Sequence, residues 1–315
     1  MTKPMEIKRT DRSIVRFDEK LKKILMAKTH NQVVSLATNG VGGFNITTYG
    51  KGEDSFTICI PTKMKDDELL PCFVSHTDTV SAKKPVRFEL HEGILSNPDG
   101  VLGADDRAGV FMLSQMMDKG IKGIYIFTNG EEIGGLGASA CARHQKFQDI
   151  IPNITCFIEL DRQDDRDIAL YGFDNDEMCK LFEDLGYKQA YGSYTDVVDL
   201  STETGLACLN LSVGYRNQHT KREDLVLADL DFTLDIMLNS LPSALYEKKY
   251  EAEETMGSYR GFGGNYDMTT TTFAVKCEIC DTHDKLWWVE DMMLCTYCAG
   301  VDDGDDTWYD MDIEG

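Results

Sequence analysis

Four apolar runs in this sequence end in acids or imidazoles, and no other feature limits the fold as much. PCFVS runs into His76, Thr77 and Asp78; IYIFT into Asn129, Gly130, Glu131 and Glu132; TCFIEL into Asp161; and LNLSVGY is followed four residues on by His219. Short β-rich runs alternate with helical patterns from about residue 13 to 250, which indicates an α/β sheet covered by helices. In such a sheet the carboxyl ends of the strands line one crevice, where ligands bind. Four strands thereby deliver two imidazoles and several carboxylates to one place. A fifth delivery, Asp105 and Asp106 in LGADDRAGV, comes from a Gly-rich loop entering a helix.

The spacing of Ile14, Phe17, Leu21, Ile24 and Leu25 predicts a first helix with one apolar stripe. Strands are expected over 56–60, 71–75, 124–127, 154–160, 168–171 and 207–213. Helices are expected over 105–117 and 175–185, stopped by Gly120 and Gly186. A last helix over 228–246 closes the domain unless Pro242 ends it early. Residues 1–250 therefore read as one domain. The stretch 251–275, rich in Gly, Thr and charge, reads as a linker, 276–299 as a small cysteine module and 300–315 as a tail.

No apolar run nears the roughly 18 residues that span a membrane, and MTKPMEIKRTDRSIVRF lacks a signal-peptide core, so a cytoplasmic protein without membrane contact is expected. Cys59, Cys72, Cys141, Cys156, Cys179 and Cys208 are scattered through apolar segments, as reduced core cysteines are. A formal charge of -22 disfavours nucleic acid as a partner. Seven acids lie in the last sixteen positions, which suits a flexible solubilising tail, with a docking peptide as the alternative.

Taken singly, each polar residue has a plain structural use. His76 alone reads as a partly buried histidine, Asp161 as a cap on the next helix, and Asp105 with Asp106 as an N-cap and its dipole partner. Their convergence changes the reading. Two imidazoles and at least three carboxylates at one crevice form a nitrogen-and-oxygen ligand set suited to zinc, with manganese and cobalt as the other candidates. The adjacent Glu131 and Glu132 then make sense if one binds metal while the other stays free for proton transfer.

HTDTV (76–80), LGADDRAGV (102–110), TNGEEIGGLGA (128–138), IELDR (158–162) and HT (219–220) together resemble the co-catalytic dizinc peptidases, the superfamily of peptidase T, glutamate carboxypeptidase, acetylornithine deacetylase and the bacterial leucyl-type aminopeptidases. The resemblance covers about residues 14–245, in the family's order. It implies a three-layer α/β/α fold with a mixed central sheet and two catalytic zinc ions. By the same resemblance His76 and Asp161 would hold one ion, Glu132 and His219 the other, and Asp105 would bridge both. Asp78 would hydrogen-bond the far nitrogen of His76, and Glu131 would act as general base. The family also has a cis peptide bond after the bridging Asp, here Asp105–Asp106.

Several relatives insert a lid domain, but the gaps here, 58 residues from Asp161 to His219 and 29 from His76 to Asp105, leave no room for one. The compact form implies an exopeptidase, an aminopeptidase on short peptides. An amidohydrolase of N-acyl amino acids or other small amides is the alternative enzyme, and an adaptor with an inactive peptidase fold the alternative from another class. Tyr215 and Arg216 are candidates for reaching a substrate, set against a structural role at a strand end. Thr195-Asp196 is a weaker site element.

Cys277, Cys280, Cys295 and Cys298 form two CxxC pairs with 14 residues between them, the layout of a four-thiolate zinc ribbon holding one structural zinc. Two Lys stand against five acids over 276–299, so a protein partner or self-association through ribbon and tail is expected rather than nucleic acid.

Overall fold

The computed structural model of the chain describes residues 18–192, 194–253, 286–289 and 292–295. The chain divides into two units, Met1–Tyr259 and Arg260–Gly315.

In the first unit the strands are β1 (Phe44–Tyr49), β2 (Phe56–Pro61), β3 (Leu70–His76), β4 (Glu89–His91), β5 (Ile94–Ser96), β6 (Ile124–Thr128), β7 (Ile154–Arg162), β8 (Asp167–Leu170), β9 (Lys188–Tyr191), β10 (Cys208–Ser212), β11 (Tyr215–Arg216) and β12 (Asp224–Val226). Eight of them form one mixed sheet in the order β1-β2-β6-β3-β7-β10-β8-β9. The middle four, β6, β3, β7 and β10, run parallel. Their carboxyl ends therefore share one edge, and all four acid-terminated runs are among them. A second sheet of short strands, β11-β12-β5-β4, is antiparallel throughout.

The helices are α1 (Glu19–Met26), α2 (His30–Ala37), α3 (Ala104–Asp118), α4 (Leu136–Ala142), α5 (Gln145–Gln148), α6 (Asp176–Glu183), α7 (Asp196–Thr204) and α8 (Leu227–Asp235). The sheet's alternation sorts them into two layers. Phe73, Tyr125 and Ile158 share a core with Leu21, Ile24, Val33, Met112 and Phe182 of α1, α2, α3 and α6. Cys72, Val74, Ile126 and Phe157 face the other way, onto Cys141, Phe147 and Leu200 of α4, α5 and α7. Every residue of β3 and β6 is buried, as parallel strands covered on both faces require. The six scattered cysteines are buried and free.

Two expected elements differ in detail. The last helix stops at Asp235, passes through one π-turn (Ile236–Ser240) and ends before Pro242, whose ring cannot continue it. The expected N-cap of α3 is divided: Asp105 and Asp106 have non-helical backbone, and Asp106 Oδ1 accepts the Gly109 amide at 2.9 Å, capping the regular turns. Gly109 cannot be larger, since a Cβ there would stand 1.8 Å from the Leu160 carbonyl oxygen. That close approach seats α3 on β7. Ile14 and Phe17 lie outside the described residues.

In the second unit an antiparallel hairpin, β13 (Leu286–Val289) and β14 (Met292–Cys295), is described. It occupies the segment between the CxxC pairs. Cys277, Cys280 and Cys298 lie outside the described residues, as do almost all of the linker and the whole tail. No helix among the described residues is long and apolar enough to cross a membrane.

Candidate metal centre

The Asp105 carboxylate organises the crevice by facing two imidazoles at once. Oδ1 is 3.0 Å from His76 Nε2 and Oδ2 is 3.1 Å from His219 Nε2. Beyond His76 stands Asp161, with Oδ1 3.5 Å from the same Nε2. Beyond His219 stands Glu132, with Oε2 2.9 Å from Nε2. The five residues thus form two half-sites sharing one carboxylate. Glu131 belongs to neither, although its Oε2 comes within 4.0 Å of His76 Nε2. The Asp105–Asp106 peptide bond is cis.

Local structure explains each position. His76 ends β3, and its backbone amide donates to Asp106 Oδ2 at 3.2 Å, while Ser75 Oγ donates to the same oxygen. Asp161 lies near the end of β7, where Asn210 of the neighbouring β10 accepts its amide at 2.8 Å and donates to its carbonyl at 3.2 Å. Tyr215 Oη donates to the Asp161 carbonyl at 3.0 Å and to Oδ1 at 3.2 Å. Tyr215 therefore positions an acid of the cluster. Arg216 is held at 3.0 Å by Asp224 through Nε and again through Nη2, which gives it the strand-end structural role.

Asp78 faces both an imidazole and the backbone. Its Oδ1 stands 3.4 Å from His76 Nδ1, at the long end of a hydrogen-bond contact. Its shorter contacts are to the backbone: Oδ1 accepts the Glu131 amide and Oδ2 the Glu132 amide, each at 3.2 Å. Asp78 thus fixes the turn that carries the acidic pair. Val80 N–H completes the clasp by donating to Glu132 Oε1 at 3.2 Å.

Sequence reasoning missed Glu223, which is 1% exposed. Its carboxylate accepts the Gly103 amide at 2.7 Å and the Asp105 amide at 3.0 Å, tying the loop of His219 to the loop of Asp105. An acid pair, Glu223-Asp224, four residues after His219 was the available signal. Thr195 and Asp196 also adjoin the centre: Thr195 Oγ1 donates to buried Glu159 at 2.6 Å, and Thr128 Oγ1 donates to buried Asp196.

The electrostatics call for cations. Asp78, Asp105, Glu131, Glu132 and Asp161 surround two imidazoles. Burial works against charge on His76, but Asp161, Asp105 and Asp78 outweigh it and raise its pKa well above the ordinary value. Hydrogen bonds to Asp105 and Glu132 push His219 up to about 11. Burial raises Glu131 well above the usual carboxylate range, and Asp161 to about 6. Burial opposes ionisation of Asp105, but contacts with His219 and His76 prevail and lower its pKa. His76, Asp105 and Glu132 each offer a donor atom within 4.8 Å of the others. This mixed nitrogen and oxygen set fits zinc, manganese or cobalt.

No protein-family model matches the chain, and no curated protein matches it in sequence. Solved structures match in fold. The aminopeptidase PepT from Bacillus cereus ATCC 10987 is similar at TM-score 0.55 and 16% identity, over 73% of this chain and 96% of its own. A tripeptidase from Staphylococcus aureus subsp. aureus Mu50 gives 0.53 and 14%, over 73% and 97%. The TET1 peptidase of Pyrococcus horikoshii, which can assemble into a tetrahedron or a large octahedral shell, gives 0.51 and 16%, over 70% and 97%. This chain thus has the α/β fold on which those peptidases are built.

Proposed function

We propose that the chain is a metal-dependent aminopeptidase acting on short peptides. The observation that carries the reading is the divided Asp105 carboxylate, one oxygen toward His76 and Asp161 and the other toward His219 and Glu132. The fold shared with aminopeptidases and a tripeptidase supports it. His76, Asp161 and Asp105 would hold one zinc, and Glu132, His219 and Asp105 the other. Bound there, such ions supply Lewis acidity to the scissile carbonyl and lower the pKa of water.

The remaining chemistry belongs to side chains. Glu131, outside both half-sites, takes a proton from the attacking water through its carboxylate and passes it to the leaving amine. Asp78 holds the Glu131 and Glu132 amides, so that one acid stays with metal while its neighbour stays free. The short gap between Asp161 and His219 leaves no room for an inserted lid domain, which suits entry of a free peptide terminus. Cys277, Cys280, Cys295 and Cys298 hold a separate structural zinc in this reading, supported by their spacing. Self-association has a parallel in the TET1 peptidase.

The test is turnover of free and N-blocked di- and tripeptides by zinc-loaded protein, beside Glu131→Gln. Free peptides should be cleaved, and Glu131→Gln should lower kcat by about 100- to 10,000-fold with metal content unchanged. Equal activity of that variant defeats the mechanism. Preferred cleavage of N-acyl substrates replaces the aminopeptidase with a deacylase.

A further inference from the structure

The loop between β3 and β4 carries a cation that the mechanism does not use. Lys84 Nζ donates to Thr79 Oγ1 and, at 2.8 Å, to the Ser81 carbonyl. An ammonium has three donors, and both of these acceptors are neutral. Among the described residues no carboxylate pairs with Lys84. The side chain is nonetheless half-buried, and burial with the charge of Arg107 outweighs the more distant Asp78, Glu132 and Glu223, lowering its pKa to about 8. Its place is set by the chain: Thr79, which accepts its hydrogen bond, precedes Val80, whose amide donates to Glu132.

Topology adds to the positive charge. Ser96 of β5 pairs with Glu89 of β4 on one side and Asp224 of β12 on the other, so the loops entering β4 and β12 leave the small sheet at the same end. The second of these loops carries His219 and, after Thr220, the exposed Lys221 and Arg222. In a chain of charge -22, Lys221 and Arg222 thus lie within three residues of His219, on a loop that leaves the small sheet at the same end as the loop of Lys84. Arg216 cannot serve there, being bound to Asp224.

We propose that Lys84 binds a carboxylate of the substrate at the mouth of the metal centre, with Lys221 and Arg222 adding to the local field. The proposal rests on the peptidase reading of that centre. A partly desolvated ammonium with neutral acceptors alone gains most from an anionic ligand. The carboxylate is the C-terminus of a short peptide or an acidic side chain, two sources with one chemistry.

Zinc-loaded wild type and Lys84→Gln are compared on two substrate pairs: leucyl-leucine with leucyl-leucinamide, and glutamyl-leucinamide with glutaminyl-leucinamide. Wild type should favour the carboxylate member of one pair by about ten- to a hundredfold in kcat/KM, the strength of a charge-assisted hydrogen bond. Preference in the first pair assigns the C-terminus, and in the second the side chain. Lys84→Gln should bring that ratio to about one, and Lys84→Arg should restore most of it. A lysine that only tethers its loop lowers both members together and keeps the ratio, which overturns the proposal. Equal cleavage of both members by wild type overturns it too, while the peptidase reading stands. Cleavage of none of the four defeats the peptidase reading, and calorimetric binding of leucyl-leucine against leucyl-leucinamide then decides: preference lost in Lys84→Gln supports the carboxylate site, and no preference overturns it.

Discussion

The two half-sites differ in what holds them. His76 and Asp161 stand on adjacent parallel strands, with side chains 1% and 8% exposed. Glu132 sits in a short 3-10 turn and His219 in a loop, where its backbone has φ 63° and its side chain is 52% exposed. Sheet hydrogen bonds fix the first half, whereas the second depends on a few side-chain contacts, chiefly Asp78 and Val80 on the Glu132 turn and Glu223 on the Asp105 loop. The same donor chemistry is thus preorganised to different degrees, and the strand-borne half should hold its ion more tightly.

The strongest way to break the comparison is Asp105→Ala, which removes the carboxylate common to both halves. Metal in the crevice should be lost from both together, and kcat/KM should fall by about a thousandfold or more, since such ions supply several kcal/mol of transition-state stabilisation. Elemental analysis after dialysis, beside kinetics, checks this. Retention of one ion would show that the half-sites do not share Asp105.

A smaller effect separates the halves. His219→Ala should release one ion, keep the other, and lower folding stability by about 1 to 2 kcal/mol, since the imidazole is half-exposed although Asp105 and Glu132 opposite it are buried. His76→Ala should cost about 3 to 5 kcal/mol, because it leaves buried carboxylates without their cation. Urea unfolding of the metal-free variants measures the difference. Equal losses would remove the distinction drawn here.

The smallest effect tests what backs the strand-borne half. Buried His30 stands behind it, with Nδ1 2.7 Å from Thr77 Oγ1 and Nε2 2.9 Å from Thr57 Oγ1. Thr77 Oγ1 donates to the Thr128 carbonyl, so it accepts from Nδ1–H and leaves Nε2 as the acceptor of a neutral ring. Burial lowers the His30 pKa from 6.5 to about 4. The folded state therefore favours the neutral form: the contribution is complete above pH 6.5 and is lost as pH falls from there toward 4. Relative to His30→Gln, metal-free wild type should lose about 2 to 3 kcal/mol across that window. Parallel pH profiles of the two proteins would rule this out.

What the sequence disclosed depended on strand ends, not on which half-site a residue serves. His76, Glu131, Glu132 and Asp161 were legible because each follows an apolar run whose strand end faces the crevice. The small sheet was not legible, because β4 is three exposed residues and β11 only two, too short to show alternation. β1 was missed for a related reason, since an edge strand with four exposed central residues carries no apolar signal. Glu223 and Lys84 act through loops that the small sheet positions, so their roles emerged only with its pairing. The ribbon cysteines were conspicuous by spacing alone, yet apart from the backbone of Cys295 they lie outside the described residues.

The four central strands gather residues 76, 105, 132, 161 and 219 onto one edge, and no short segment of the chain contains a complete half-site. A nascent or partly unfolded chain therefore has nothing in this region with which to chelate an ion. At this centre zinc would bind the finished sheet in preference to the unfolded segments, raising its stability by mass action in proportion to the logarithm of free metal. In a cell, metal supply would then set how long each copy survives as well as whether it works.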